Sequence, residues 1–410
     1  MSRARHWRGG LQLSARTASS AIRIALDAAG GFTGRALPLS PEEVAEPSVI
    51  NDLLGADPRW QGSGPPKVGA VRLPGVEFES SNCQNFLIEW DFVETGEGEA
   101  LPRTAYVKIP CKEMSTRLFA HSLGFWELET FFCRSVAEQI PIRVPRVYAA
   151  VQKGSRFALL LENLHEIPGT RLFLNRDMAA GTTPQRAARI VRGLAEMHAR
   201  FWGWSEAQRE ALLPAAFNTY TAAGRKEVTR ALNASAIGPA VRRAPEILSG
   251  RLAETYRLAI EKWDALLEAW YSGPLTLVHG DSHLGNCFEY PGDEGLQMGM
   301  IDFQAVHWSQ GMRDVQYFMI NSLDSEVLVA HENELISIYC DELARYGIEL
   351  HPDEAFQQYR AFSFQTLLVG VVPLGLSNLT ERNSTVLAIA RRSAAAVERL
   401  GFREWLEELA

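Results

Sequence analysis

LVHGDSHLGNCF at residues 277–288 and MGMIDFQ at residues 298–304 decide the reading of this 410-residue chain. Together they place Asp281, Asn286 and Asp302 in one short span, each beside an apolar run of strand character, 275–278 and 299–301. Gly280 and Gly285 bracket the first motif and allow tight backbone turns. A carboxylate at Asp281 can accept the proton of an attacking hydroxyl. The Asn286 amide oxygen and the Asp302 carboxylate are the hard oxygen ligands that Mg²⁺ takes beside a nucleoside triphosphate. If the two apolar runs pair as a hairpin through residues 291–295, their outer ends meet and Asn286 and Asp302 share one metal. A lone aspartate in a glycine-rich loop is ordinarily a turn cap. An ordered set of three polar groups in two strand-flanked segments reads as a site.

Working upstream, residues 85–93 (NFLIEWDFV) and 104–109 (TAYVKI) predict two strands joined by a hairpin loop over 94–102. A helix is expected over 119–138, ended by Pro141 and Pro145. VPRVYAAV and FALLL (157–161) predict two more extended segments. Nearer the start, Ser40 and Glu43 with Pro41 between them form a capping-box pattern, and 62–67 (GSGPPK) reads as a linker. Downstream, Val191, Leu194, His198 and Phe201 recur at helical spacing. Long helices fit 252–270, 324–346, 352–368 and 384–409. Strands first, then helices enclosing a short strand-rich insert, predict an α+β protein with a small sheet lobe and a larger helical lobe.

Composition narrows the function classes. The net charge of −8 and pI near 5.7 argue against a nucleic-acid-binding surface. Five scattered cysteines without a CxxC pair exclude a zinc ribbon or a thioredoxin-like motif and read as reduced, cytoplasmic thiols. The longest apolar run, 367–376, is interrupted by Pro373 and is too short for a bilayer, so no integral membrane segment is expected. Residues 1–36 differ from the rest: Arg3, Arg5, Arg8, Arg16, Arg23 and Arg35 face one acid, Asp27. That pattern fits an organelle transit peptide, or a basic surface helix packed on the domain or touching anionic lipid.

HGDSHLGN resembles the HGDxHxGN catalytic loop of the aminoglycoside phosphotransferase and choline kinase superfamily, and IDFQ resembles its counterpart of the protein-kinase DFG segment. LLLENL (159–164), LAEMHARFWG (194–203) and GMRDVQYF (311–318) resemble one branch, the ecdysteroid kinase-like proteins. The resemblance covers residue 38 to the C-terminus. It implies a two-lobed protein-kinase-like fold: a basic extension (1–37), a nucleotide-binding lobe (38–164) and a helical catalytic lobe (165–410).

Position by position, the resemblance makes Asp281 the catalytic base, Asn286 a magnesium ligand and Asp302 the principal one. Lys108 stands where the family's strand lysine meets the nucleotide phosphates, with Glu129 as its helix partner and Glu127 as the fallback. Backbone groups from Glu162 to Leu164 would meet adenine. The implied activity is ATP- and Mg²⁺-dependent phosphoryl transfer to a hydroxyl of a small molecule. One departure stands out. The family's phosphate-covering loop is glycine-rich, whereas GVEFESSNCQNF (75–86) has only Gly75 and offers Ser80, Ser81 and Asn82 instead. A catalytically weak relative that binds nucleotide or metabolite is therefore the alternative.

Other residues read differently. A lone strand lysine such as Lys108 is ordinarily an edge gatekeeper. His279 is expected to bond backbone near Asp302, His198 to be a satisfied core histidine, and Asp314 to brace the loop after Asp302. His279 and His283 are four apart, but Gly280 between them argues against a helix and against zinc. Trp202, Trp204 and Trp308 read as core or pocket wall, and Phe201, Trp202, Trp308 and Tyr317 suggest a partly apolar acceptor pocket. A metallophosphoesterase would need further histidines and a GNH segment, whereas Cys287 follows Asn286 here. Neither a GxSxG elbow nor a GxxxxGK[ST] loop occurs.

Overall fold

A computed structural model of the chain describes residues 2–31, 36–62, 64–78, 80, 82–94, 101–248, 250–293, 295–376 and 384–409. Ser81 and residues 95–100 of the expected hairpin loop lie outside the described residues. The chain divides into a sheet unit (residues 14–139 and 144–168) and a helical unit (1–13, 140–143 and 169–410). This is the α+β architecture expected from the sequence, a small sheet part followed by a larger helical part.

Helix α1 (Ser2–Gly31), whose residues from 14 on belong to the sheet unit, is followed by α2 (Pro41–Val44) and α3 (Pro47–Ala56). Ser40 caps α2 by accepting the Glu43 N–H at 3.3 Å. Glu43 reaches back to the Leu39 N–H at 2.7 Å, one residue before the cap. Strands β1 (Lys67–Arg72), β2 (Glu77–Phe78), β3 (Cys83–Glu94), β4 (Thr104–Pro110), β5 (Val147–Lys153) and β6 (Arg156–Leu161) form one antiparallel sheet in the order β1-β3-β4-β6-β5, with β2 on β3. The core under it takes Phe86, Ile88 and Trp90 from β3 and Ala105, Val107 and Ile109 from β4. Alternation along β3 and β4 made both strands legible in the sequence. β1 went unread because it buries only Val68 deeply and lacks an alternating pattern. In place of one helix over 119–138 there are two, α4 (Met114–Leu123) and α5 (Phe125–Ser135). Gly124, at φ 77°, sits between them, and its N–H caps the carbonyls of Ala120 and His121. A left-handed glycine ends a helix cheaply, and so the run breaks there.

The helical unit opens with β7 (Arg171–Leu172), α6 (Asn175–Ala180), α7 (Pro184–Phe201), α8 (Glu206–Leu212), α9 (Arg225–Arg243), α10 (Gly250–Glu261) and α11 (Trp263–Trp270). The strand-rich insert follows: β8 (Thr276–Val278), β9 (Cys287–Gly292), β10 (Gly295–Met300) and β11 (His307–Ser309). Then come α12 (Met312–Ser322), α13 (Ser325–Arg345), α14 (Pro352–Leu376), α15 (Ser384–Arg399) and α16 (Phe402–Glu408). The helix expected over 252–270 breaks at Lys262, whose ammonium turns to the carbonyls of Leu406 and Glu407 at 3.1 Å each. The one expected over 384–409 breaks at Gly401, φ 63°. Trp263, Trp270, Tyr256, Phe364 and Phe402 fill the core among α9, α10, α11, α14, α15 and α16. α14 is long and apolar enough to cross a membrane, but 72% of its apolar window is buried in this core.

The insert corrects one expectation. The strand before Asp281, β8, pairs with β11 (Val278 opposite His307), not with the strand before Asp302. The hairpin is β9 with β10, Cys287 opposite Met300, and β7 adds a third strand. The chain turns at Gly280 (φ 84°) and through a 3₁₀ turn at Leu284–Asn286, so a new strand starts after the loop.

Candidate active site

Lys108 sits on β4 between two core-facing residues, Val107 and Ile109, so strand alternation turns its side chain to the opposite face of the sheet. It is 4% exposed, and its ammonium donates to Glu129 Oε1 at 2.7 Å. Glu129 lies on α5 and is itself buried. Glu127, two residues earlier, is exposed, as a 100° step per helical residue requires. A buried ammonium is tolerated only with such a partner. At the end of β6 the Glu162 N–H donates to the Arg146 carbonyl at 2.8 Å, and the Glu162 carboxylate accepts the Arg146 N–H at 3.1 Å. Asn163 caps the next turn, accepting the His165 N–H and donating to Thr104 Oγ1 at 3.1 Å, while Leu164 is buried. In the glycine-poor stretch, Asn82 is buried and Ser80 half-buried. The Phe78 ring stacks on His165 with centroids 5.1 Å apart.

In the helical unit, β8 delivers His279, Gly280 and Asp281 to the start of the loop. Gly280 is required there. Its φ is +84°, and a Cβ would run into the Ala305 carbonyl. Asp314, in the first turn of α12 and fully buried, accepts the N–H groups of His279 (2.6 Å) and Gly280 (3.0 Å). It also meets Arg313 Nη1 at 3.1 Å and His198 Nε2 at 3.3 Å. Burial alone would raise the Asp314 pKa; His198 and the Arg313 charge outweigh it and hold the carboxyl well below the usual carboxylate range. Asp314 therefore braces the loop leading into Asp281, not the loop after Asp302 as expected. His198 is the satisfied core histidine of the sequence reading, bonded on its other side to the Tyr339 hydroxyl at 2.9 Å.

His279 is fixed in one tautomer by its neighbours. Its Nδ1 accepts the Asp281 N–H at 3.1 Å, so Nε2 carries the proton and donates to the Ile301 carbonyl at 2.9 Å. Burial pushes its pKa below the usual histidine value, with Asp314 pulling the other way. The Asp281 carboxylate is held from two sides. Oδ1 accepts the Tyr317 hydroxyl at 2.8 Å, and Oδ2 accepts Asn286 Nδ2 at 3.2 Å. His283 Nε2 lies 3.6 Å from Oδ2. Burial, then the neighbouring Asp281 charge, raises the Tyr317 pKa well above the ordinary phenol value, so its hydroxyl stays a donor.

Asn286 closes the 3₁₀ turn, and its amide N–H₂ is committed to the Asp281 carbonyl at 2.8 Å as well as to the carboxylate. Its amide oxygen is the pole left for other chemistry. The Ile301 N–H donates to the Asn286 carbonyl at 2.9 Å, so the ends of β9 and β10 bring Asn286 and the residue before Asp302 together. Asp302 has φ 65° and is the only non-glycine with positive φ among the described residues. Such a backbone persists only where the surroundings impose it, and it is characteristic of functional sites.

The aromatic residues weighed as core or pocket wall differ in burial. Phe201 is fully buried and packs edge-on against Trp204 and Trp308, whose indole N–H donates to the Leu213 carbonyl at 2.9 Å. Phe201 and Trp308 are core, Trp202 and Trp204 are half-buried, and the Tyr317 hydroxyl goes to Asp281. The sequence did carry a signal for that role. Asp314 and Tyr317 are three apart on one helix, so the residues that hold the loop and its carboxylate share a face.

Comparison with known proteins follows this geometry. The model of the ecdysteroid kinase-like family matches residues 108–351, more than half the chain, a span that includes Lys108, Asp281, Asn286 and Asp302. No curated protein matches the chain. Among solved structures, the chain is similar to the choline kinase of Cryptosporidium parvum at 12% identity and a TM-score of 0.45, over 88% of this chain and 99% of that one. It is similar to a Plasmodium vivax ethanolamine kinase at 11% identity and a TM-score of 0.42, over 79% and 82%. A microcompartment-associated aminopropanol kinase is similar at 17% identity and a TM-score of 0.42, over 81% and 92%. With the family model spanning both the buried lysine and the aspartate loop, the chain belongs to the ecdysteroid kinase-like family.

Proposed function

We propose that this protein is a small-molecule kinase that moves the γ-phosphate of ATP to a hydroxyl of a small-molecule acceptor. The observation that carries the reading is the Asp281 carboxylate: its side chain remains 23% exposed while Tyr317 and Asn286 hold both its oxygens. A carboxylate oriented in this way is placed to take the acceptor's proton. The acceptor oxygen then bonds to the γ-phosphorus, the bond from that phosphorus to the β–γ bridging oxygen breaks, and ADP leaves. Tyr317 keeps the base aligned through the transfer. Lys108, oriented by Glu129, meets the nucleotide phosphates, and the Glu162 carbonyl with the Leu164 N–H meets adenine. Ser80 and Asn82 take the part that glycines play in other phosphate loops.

Magnesium fits the donor set. The Asn286 amide turns its N–H₂ to Asp281 and so offers oxygen, and Asp302 adds a carboxylate, both hard ligands suited to Mg²⁺ shared with phosphates. When bound, the ion neutralises charge on the phosphates as it develops in the transition state. A second reading, a relative that binds nucleotide or metabolite without efficient turnover, is favoured by the glycine-poor stretch 75–86.

The test is Mg²⁺-dependent ATP turnover against a pooled library of hydroxyl compounds, wild type beside Asp281→Asn. The kinase reading expects a phosphorylated product that falls by about 10²–10⁴-fold in the variant. ATP binding without product from any hydroxyl class would favour the second reading. Folded protein that neither binds nor turns over ATP would sink both.

A further inference from the structure

Helix α1 turns its faces the opposite way from an ordinary surface helix. The face toward the sheet unit is partly polar. Ser20 is buried against His121, with Oγ 2.9 Å from Nδ1. Ile24 is fully buried. Asp27, the only acid in residues 1–36, accepts the Ser155 N–H at 2.6 Å, and its carbonyl accepts Arg156 Nη2 at 3.0 Å. Positions 20, 24 and 27 lie on one face, so these contacts fix the rotation of the helix about its axis. The opposite face carries Leu11, Ala15, Ala18, Ile22 and Leu26, at spacings of four, three, four and four, which is one continuous stripe. Its three large residues are among the most exposed large apolar ones of the described residues: Leu11 63%, Ile22 63% and Leu26 59%. Arg23 is exposed on the flank between the stripe and the face toward the sheet unit, and the half-exposed Arg16 lies on the same flank, nearer that face.

We infer that this face of α1 docks on an anionic lipid bilayer surface. Exposed apolar residues in a row call for an apolar partner. The basic charge of residues 1–36, on a chain that carries −8 overall, selects a negatively charged one. A helix with an apolar stripe and arginines along one flank lies in the headgroup plane, with its apolar side chains in the acyl boundary and its guanidiniums reaching lipid phosphates. A second copy of the chain fits less well, because residues 1–36 carry six arginines and one acid, so pairing two such helices brings like charges together. Nucleic acid offers phosphates but nothing for Leu11, Ile22 and Leu26.

The experiment is flotation of the full chain with phosphatidylcholine vesicles, with and without phosphatidylserine. Variants are Leu11→Gln/Ile22→Gln/Leu26→Gln and, separately, Arg16→Gln/Arg23→Gln. The substituted apolar side chains are exposed, so circular dichroism and Tm of the first variant should match wild type. The expected result is binding to the serine-lipid vesicles alone, weakened by rising salt. The triple variant should lose at least tenfold in partitioning, and the double variant about fivefold for each arginine removed. Three outcomes would overturn the inference: no binding to either vesicle, equal binding to both, or binding that survives the triple substitution. Self-association abolished by the triple variant, without lipid binding, would assign the stripe to a second copy and also overturn it.

Discussion

The two polar centres of this protein are built in opposite ways. In the sheet unit, Lys108 is buried against the Glu129 carboxylate, so a strand and a helix meet through a buried ion pair. In the helical unit, the Asp281 loop hangs from a network. Asp314 takes two backbone N–H groups and two cationic or histidine partners, His279 links two loops, and Tyr317 and Asn286 grip the carboxylate. The pair puts much of its energy into one direct contact, so its members fail together. The network spreads it, so its members fail to different degrees.

That contrast can be broken at its strongest point. Asp314→Ala strands the His279 and Gly280 N–H groups and the Arg313 charge in a fully buried site. Urea denaturation should show a loss of about 3–5 kcal/mol. A loss under about 1 kcal/mol would mean the loop is held elsewhere. Next, Lys108→Met and Glu129→Leu should each cost about 3 kcal/mol, because each removes one member of a buried ion pair and leaves the other charge less compensated. The double variant should cost far less than the sum of the two. Additive costs would show that the ion pair is not the unit of stability there.

Acidification sharpens the same comparison. Burial, reinforced by Arg313, pushes His307 down to about 4, and burial also lowers His279. Both folded values lie below the unfolded one, so the unfolded chain binds protons first as pH falls. Their contribution is fully present above about pH 6.5 and drains away on the acid side, on the order of 3 kcal/mol for His307 by pH 4. His307→Asn should flatten that part of the stability–pH curve; an unchanged slope would remove His307 from the account. A smaller effect is expected from Tyr317→Phe, which deletes one hydrogen bond to the Asp281 carboxylate. Stability should fall by about 1 kcal/mol, and kcat about tenfold with KM little changed. A change in KM alone would make Tyr317 a substrate contact. The smallest stability change belongs to Asp302→Asn, because asparagine also tolerates positive φ. Tm should hold within about 2 °C while Mg²⁺-dependent turnover falls at least about 100-fold.

How much of this was legible beforehand depended on the range of the interactions. β3, β4 and β6 could be read because their side chains alternate or run apolar over five residues or more. That Asp281 meets Asn286, and Asn286 the residue before Asp302, could be read because their spacing is local. The true partner of β8 could not, since β11 lies about thirty residues on and three-residue strands carry no register signal. The Lys108 partner was narrowed to two glutamates, and the helical step singled out Glu129. The breaks at Gly124 and Lys262 depend on backbone conformation and on carbonyls far along the chain, which periodicity does not record. The bond from the Tyr317 hydroxyl to Asp281 is tertiary, and a ring in a sequence does not show where its hydroxyl goes.

The trapped imidazole of His279 has one more consequence. Its Nε2 proton lies on the 2.9 Å bond to the Ile301 carbonyl, in a ring with no exposed surface. Such a proton exchanges with water only when the surrounding segment opens. In a ¹⁵N-labelled sample it would give a single-proton resonance shifted far downfield, separate from the crowded amide region. The lifetime of that one signal would report how often the strand leading into Asp281 parts from the strand leading into Asp302, without any substrate, nucleotide or assay.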